Sequence, residues 1–132
     1  MNDIIGADLA ASVSKAAISL YTKAAEHARS RGIILADTKF EFGLINNKSQ
    51  LILVDEVLTP DSSRFWDANA YKAGESQASF DKQYVRQWLI SNGLDKAADQ
   101  GTPVTLPPDV VEKTREKYQE AYERITGQKW VN

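Results

Sequence analysis

Ile33-Ile34-Leu35-Ala36-Asp37-Thr38-Lys39-Phe40-Glu41-Phe42-Gly43-Leu44-Ile45 is the stretch whose reading decides the fold. Its first four residues are apolar without a break, which predicts a short buried strand. From Thr38 to Ile45 polar and apolar residues alternate, which predicts a second strand. In an extended chain a period of two places Asp37, Lys39 and Glu41 on one face. Phe40 and Phe42 then point the other way and can anchor the strand in the core. Asn46-Asn47-Lys48-Ser49 is turn chemistry, and Gln50 to Val54 is a further apolar run, so a β-hairpin is expected. The charged row reads equally well as the rim of a cleft or as a half-exposed strand with cross-strand ion pairs.

Toward the N-terminus, apolar residues fall at Leu9, Val13, Ala16, Leu20, Ala24 and Ala28. That three-to-four spacing predicts an amphipathic helix from Ala7 to Arg31, stopped by Gly32. Toward the C-terminus, Asp55-Glu56 closes the hairpin, and Thr59-Pro60-Asp61-Ser62-Ser63 reads as a loop. A paired hairpin returns Asp55 toward the Glu41 strand, and two carboxylates are the hard oxygen ligands that magnesium takes. Structural readings stand beside these: Asp61 capping its own turn, and Arg64 pairing with a nearby acid. The segment from Asp67 to Ser79 is polar and irregular, and mobility is expected there. Asp81 to Ser91 is a short helix with Tyr84, Val85, Trp88 and Leu89 on its apolar side. Leu94 to Pro108 is linker-like. A last helix from about Asp109 carries Val111, Tyr118, Ala121, Tyr122 and Ile125, and ends at Gly127. The fold class is α+β, with two substantial helices around a small antiparallel sheet.

Composition narrows the function classes. The chain has 132 residues, 42% of them hydrophobic, enough for one modest core. A formal net charge of −2 argues against a broad nucleic-acid or membrane surface. There is no cysteine, which removes disulfides, thiolate metal sites and thiol nucleophiles and is compatible with the reducing cytoplasm expected for this chain. His27 has no histidine or cysteine partner and reads as surface. Trp66, Trp88 and Trp130 read as packing residues, since no basic groove accompanies them. Neither GxGxxG nor GxxxxGK[ST] occurs, so a glycine-rich phosphate loop would have to lie on a part of the protein absent here.

Two blocks carry a family resemblance. Ile34-Leu35-Ala36-Asp37-Thr38-Lys39-Phe40-Glu41-Phe42-Gly43 resembles the SAICAR synthetase signature, an apolar pair followed by D-x-K-x-E-F-G. Asp55-Glu56-Val57-Leu58-Thr59-Pro60-Asp61-Ser62-Ser63-Arg64-Phe65-Trp66 resembles that family's D-E-x-x-[TS]-P-D-x-S-R-[FLY]-W block. The two stand in family order at family-like separation, and the tail from Asp81 to Trp130 is similar to the longer version of the family. The resemblance implies the C-terminal lobe of a kinase-like, ATP-grasping two-lobe fold over residues 1–132. The glycine-rich ATP loop and an upstream P-x-E-x-x-x-R…G-S block have no counterpart, so the chain is expected to be a fragment that is inactive alone.

The activity implied is the ATP-dependent joining of L-aspartate to the carboxylate of carboxyaminoimidazole ribotide, CAIR, giving SAICAR, ADP and phosphate in purine biosynthesis. The partners implied are those three small substrates, with neither nucleic acid nor membrane, and with self-association of the fragment through apolar surface left bare. By the same resemblance Glu41 and Asp55 hold Mg2+ against ATP. Lys39 sits near the transferred phosphoryl group, and Asp37 orients a reacting group. Asp61 and Arg64 bind CAIR, with Ser62 and Ser63 in the same loop. The alternative class is a non-catalytic nucleotide-binding or assembly domain derived from the same fold; a kinase-type phosphotransferase is the third.

Overall fold

The structure is a computed structural model that describes residues 1–47, 50–75, 77, 79–80, 83–96 and 100–131. A four-residue helix, α1 (Asn2–Ile5), precedes the long α2 (Ala7–Ser30). Helix α2 is rich in alanine and straight-chain residues that lose little freedom in a helix. It ends where sequence demands: Gly32 takes φ +73, and its N–H donates to Arg29 O at 3.0 Å.

Four strands follow: β1 (Ile33–Thr38), β2 (Glu41–Ile45), β3 (Gln50–Val54) and β4 (Ser63–Asp67). They form two separate two-stranded antiparallel sheets, β1 with β4 and β2 with β3, rather than one small sheet. Strand β4 falls where the sequence reads as loop and irregular chain. In β1–β4, Ile33 faces Asp67, Leu35 faces Phe65 and Asp37 faces Arg64, with a register shift between Leu35 and Asp37. One extra residue bulges there and bends the strand. In β2–β3, Glu41 faces Val54 and Gly43 faces Ile52. A Cβ at Gly43 would stand 3.3 Å from the Val54 side chain, so a bare α-carbon suits this register. Asn46 and Asn47 take φ of 51 and 54, left-handed values that asparagine tolerates, and they begin the expected turn. Lys48 and Ser49 lie outside the described residues.

Helix α3 (Gln83–Ser91) and helix α4 (Pro108–Thr126) complete the chain. The expected start of α3 at Asp81 lies outside the described residues. Helix α4 opens on Pro108, whose missing N–H is no loss in a first turn, and closes on Gly127 at φ 71. Ala121 is buried and Tyr118, Tyr122 and Ile125 are half-buried, as the expected face has them, but Val110 is buried in place of Val111, which is 52% exposed.

The core consists of Ala28 from α2, Ile33 and Leu35 from β1, Phe65 from β4, Phe80, and Ala121 from α4, with Ala24, Leu58 and Ile125 packed against it. Two alanines at the helix positions leave room for Phe65 and Phe80. The outer edge of β4 is closed, since Phe65 O accepts from Phe80 N and Ser79 Oγ, each at 3.1 Å. Helix α4 is fixed by polar ties as well. Arg124 donates to Asp67 at 3.1 Å and lies over the Phe80 ring, and His27 Nε2 meets Ile125 O at 2.8 Å. His27 therefore satisfies one of the carbonyls that a helix C-terminus leaves bare. Phe40 and Phe42 do not enter this core: half-buried, their rings meet each other at 6.4 Å on the hairpin. The segment after β4 is tied rather than loose where it is described, with Tyr71 stacked on Trp66 at 5.9 Å and Ser79 bridged to Trp66. No helix among the described residues is long and apolar enough to cross a membrane.

Candidate active site

The predicted row of Asp37, Lys39 and Glu41 is broken. Strand β1 ends at Thr38 and β2 begins at Glu41, so Lys39 and Phe40 form a corner between the two sheets. The charges consequently divide into two adjoining groups.

The first group sits at the base of the hairpin. Lys39 Nζ contacts Glu41 Oε1 at 2.5 Å. Its pKa is raised, chiefly by that hydrogen bond and charge, with the fields of Asp55 and Glu56 adding to it. Glu41 is thus held in an ion pair with Lys39, and Asp55 acts on the same lysine through its field. Strict alternation would send Asp55 to the face opposite Glu41, because Glu41 pairs with Val54. Asp55 instead takes φ 65 and leaves the strand in a left-handed turn, and Leu58 repeats this at φ 58. For leucine that conformation is strained; packing of Leu58 against the core holds it there. No group of three acidic, histidine or cysteine residues able to hold a metal occurs among the described residues. The hard donors here are two carboxylates, a set that suits magnesium, which keeps several waters.

The second group lines a cleft of about 350 Å³ formed by Asp37, Asp61, Ser62, Ser63, Arg64, Gln83 and Arg86. Asp37 and the four substrate-assigned residues of the second block, Asp61, Ser62, Ser63 and Arg64, therefore meet in one place, and Asp55 of that block does not line it. Arg64 Nε donates to Asp37 Oδ2 at 2.8 Å and Nη2 contacts the same oxygen. The pKa of Asp37 is lowered, first by this hydrogen bond. The pairing of Arg64 with an acid is thus present inside the cleft rather than in place of it. Asp61 does not cap its turn alone: its Oδ1 accepts from Tyr118 Oη at 2.6 Å. The turn is held by hydroxyls, with Thr59 N donating to Ser62 Oγ at 3.1 Å and Ser62 N to Thr59 Oγ1 at 3.2 Å. Ser63 is buried, and its Oγ lies 2.9 Å from Thr38 Oγ1 across the sheet, a structural contact. Lys39 N donates to Ser62 O at 3.2 Å, which joins the two groups through the backbone.

Arg86 and Gln83 were not singled out by sequence. They lie three apart on α3, one face of a helix, with Arg86 Nη1 donating to Gln83 Oε1 at 3.3 Å. A polar i, i+3 pair beside the apolar Tyr84, Val85 and Trp88 was the available signal.

The family model described as SAICAR synthetase matches residues 1–101. The chain belongs to the SAICAR synthetase family. Among curated SAICAR synthetases, named phosphoribosylaminoimidazole-succinocarboxamide synthases, that of Saccharomyces cerevisiae is 52% identical over 128 residues, covering 97% of this chain and 40% of the relative. That of Saccharopolyspora erythraea is 57% identical over 127 residues, covering 95% and 42%. A solved structure described as SAICAR-synthase from Saccharomyces cerevisiae complexed with SAICAR superposes with a TM-score of 0.89 at 50% identity, covering 99% of this chain and 42% of that one. A SAICAR synthetase in complex with ADP superposes at 0.66 with 30% identity, covering 97% and 42%. The chain spans about two fifths of the length of these relatives. Its α+β arrangement of small antiparallel sheets and flanking helices is that of the solved SAICAR synthetases.

Proposed function

We propose that this chain carries the CAIR-side and metal-side half of an ATP-dependent carbon–nitrogen ligase, which joins L-aspartate to the CAIR carboxylate to give SAICAR, ADP and phosphate. The observation that carries the reading is the convergence of Asp37, Asp61, Ser62, Ser63 and Arg64 on one cleft, one backbone hydrogen bond away from Lys39, Glu41 and Asp55. In this reading the chain is the C-terminal lobe of a kinase-like two-lobe fold in a cytoplasmic enzyme, and turnover requires the remaining part of the longer family members.

A carboxylate is a poor electrophile. A carboxylate oxygen of CAIR attacks the γ-phosphorus of ATP, the new P–O bond replaces the bond to ADP, and an acyl phosphate results. The amine of aspartate then attacks the acyl carbon, the C–O bond to phosphate breaks, and the amine proton leaves with solvent or phosphate. Positioning and charge neutralisation dominate such transfers. Arg64 offers a planar fork for the CAIR phosphate and must share it with Asp37, while Arg86 adds a second cation to the same cleft. Asp37, ionised and bound to Arg64, serves to orient groups rather than to take a proton. Asp61, held by Tyr118, accepts from the base or ribose, with Ser62 and Ser63 in its loop. Lys39 is a point charge for the transferring phosphoryl group. Glu41 and Asp55 would hold Mg2+, which neutralises phosphate charge when bound. The Lys39–Glu41 pair is exposed, so opening it costs little.

A full-length enzyme containing this chain, given ATP, Mg2+, CAIR and aspartate, is expected to form SAICAR; absence of product overturns the reading. A second reading, a non-catalytic assembly domain, draws on the two ion pairs already closed at Lys39 and Arg64. It predicts that Glu41→Ala and Asp55→Ala leave any magnesium-dependent turnover unchanged. Exposed Ile4, Ile18, Leu44 and Ile45 support self-association of the isolated chain. Sedimentation at several concentrations tests this, and a strict monomer throughout counts against it.

A further inference from the structure

Helix α4 lies outside the residues matched by the family model, which ends at residue 101, yet one of its side chains contacts the cleft-lining Asp61 and the preceding one lies over Tyr84 of α3, the helix that carries Gln83 and Arg86. Tyr118 Oη donates to Asp61 Oδ1 at 2.6 Å, across 57 residues of sequence. Lys117 Nζ stands 5.6 Å from the centre of the Tyr84 ring on α3. Tyr84 directly follows Gln83 and precedes Arg86 by two positions, and both of those line the cleft. The helix itself is anchored elsewhere, by buried Ala121, by Arg124 on Asp67 and by Ile125 on His27. A rigid element fixed to the core thus touches the Asp61 loop with one residue and the Arg86 helix with the next.

We infer that Tyr118 is a positioning residue for the ribotide site: its hydroxyl fixes the rotation of the Asp61 carboxylate, so that α4 forms part of substrate recognition. Asp61 is exposed and sits on a loop after Pro60. A carboxylate in that setting rotates freely unless a donor on a fixed element holds one oxygen. Tyrosine suits the task, because its ring loses few rotamers and its hydroxyl is a polar tip on an apolar body. With Oδ1 held by Tyr118, the plane of the carboxylate is set relative to the cleft. A short hydrogen bond to an ionised acceptor is among the stronger kinds, which makes the restraint effective.

This inference rests on the ligase reading, and its test separates the two. In the full-length enzyme Tyr118→Phe removes only the hydroxyl. We expect KM for the ribotide to rise about tenfold, as for loss of one hydrogen bond to a charged group, with KM for ATP and the thermal midpoint unchanged. Tyr118→Gln, which can offer an amide donor to Asp61, is expected to recover part of the loss. It also serves as the second variant should Tyr118→Phe fold poorly. A cycle with Asp61→Ala, which removes the acceptor, supplies the coupling: once Asp61 is replaced, Tyr118→Phe should add little. An unchanged ribotide KM in Tyr118→Phe, or effects that add fully with Asp61→Ala, overturns the positioning role while leaving the ligase intact. If the parent enzyme makes no SAICAR, it is the ligase reading that falls.

Discussion

The β1–β4 sheet and the β2–β3 hairpin have similar size and the same antiparallel pairing, yet they sit in opposite surroundings. Phe65 at the centre of β4 is 2% exposed, and Ile33 of β1 is wholly buried. Leu44 and Leu53 in the hairpin are 36% and 37% exposed. The first sheet carries Asp37 and Arg64 on a rigid floor against α2 and α4. The second carries Glu41 and delivers Asp55. Side chains proposed to read a substrate thus stand on or beside the packed sheet, while those proposed for a cation stand on the more exposed hairpin.

The sharpest way to break this contrast is to truncate both sheets. Phe65→Ala is expected to cost about 3–5 kcal/mol, enough to unfold a domain of this size, whereas Leu44→Ala should cost under about 1 kcal/mol. Comparable losses in denaturant unfolding would show that the hairpin is no looser than the core. Next in size is the effect on chemistry. Glu41→Ala in the full-length enzyme should lower magnesium-dependent kcat roughly a hundredfold, about 2.7 kcal/mol, with the unfolding midpoint unmoved. Asp55→Gly separates the two properties further. Glycine accepts φ 65 without strain, and that relief offsets its extra freedom in the unfolded chain, so stability should hold while turnover falls as for Glu41. A loss of stability on Asp55→Gly would mean that the carboxylate, and not the backbone, maintains that turn.

The smallest effect is in pH. Asp67 has a lowered pKa, first through the Asn69 N–H and also through Arg124, and Asp37 is lowered by Arg64. A lowered carboxyl pKa contributes stability that is present above the group's ordinary value of 3.8 and lost as pH falls through the folded one. Acid titration of Asp67→Asn should therefore show a shallower loss of stability below about pH 4 than the parent chain. An identical acid limb would assign that loss to other groups. Lys39 behaves in the opposite sense: its raised pKa contributes below the ordinary lysine value of 10.5 and fades as pH rises through the folded value.

Much of this was legible because periodicity reports burial. Leu9, Val13, Ala16, Leu20, Ala24 and Ala28 mark the inner side of α2, and the turn residues Asn46 and Asn47 mark the hairpin. Strand β4 was hidden because one of its two buried residues is Ser63, whose hydroxyl is satisfied by Thr38 across a sheet that sequence spacing cannot reveal. The corner at Lys39 was hidden for a related reason. Alternation continues through residues 37 to 41, but a bulge and a change of partner strand interrupt the face. Tyr118 was read as part of a helix face and Arg86 was not singled out; their places at the cleft depend on how α3 and α4 pack, which is a long-range property.

Leu58 links the two surroundings. Its half-buried side chain packs against the core and its backbone is held left-handed, three residues beyond Asp55. The location of that carboxylate is therefore dictated from inside the molecule, much as a gauge needle is moved by a hidden shaft. Interior substitutions that shift Leu58 should alter cation affinity at a distance, whereas changes at the tip of the hairpin should leave it alone.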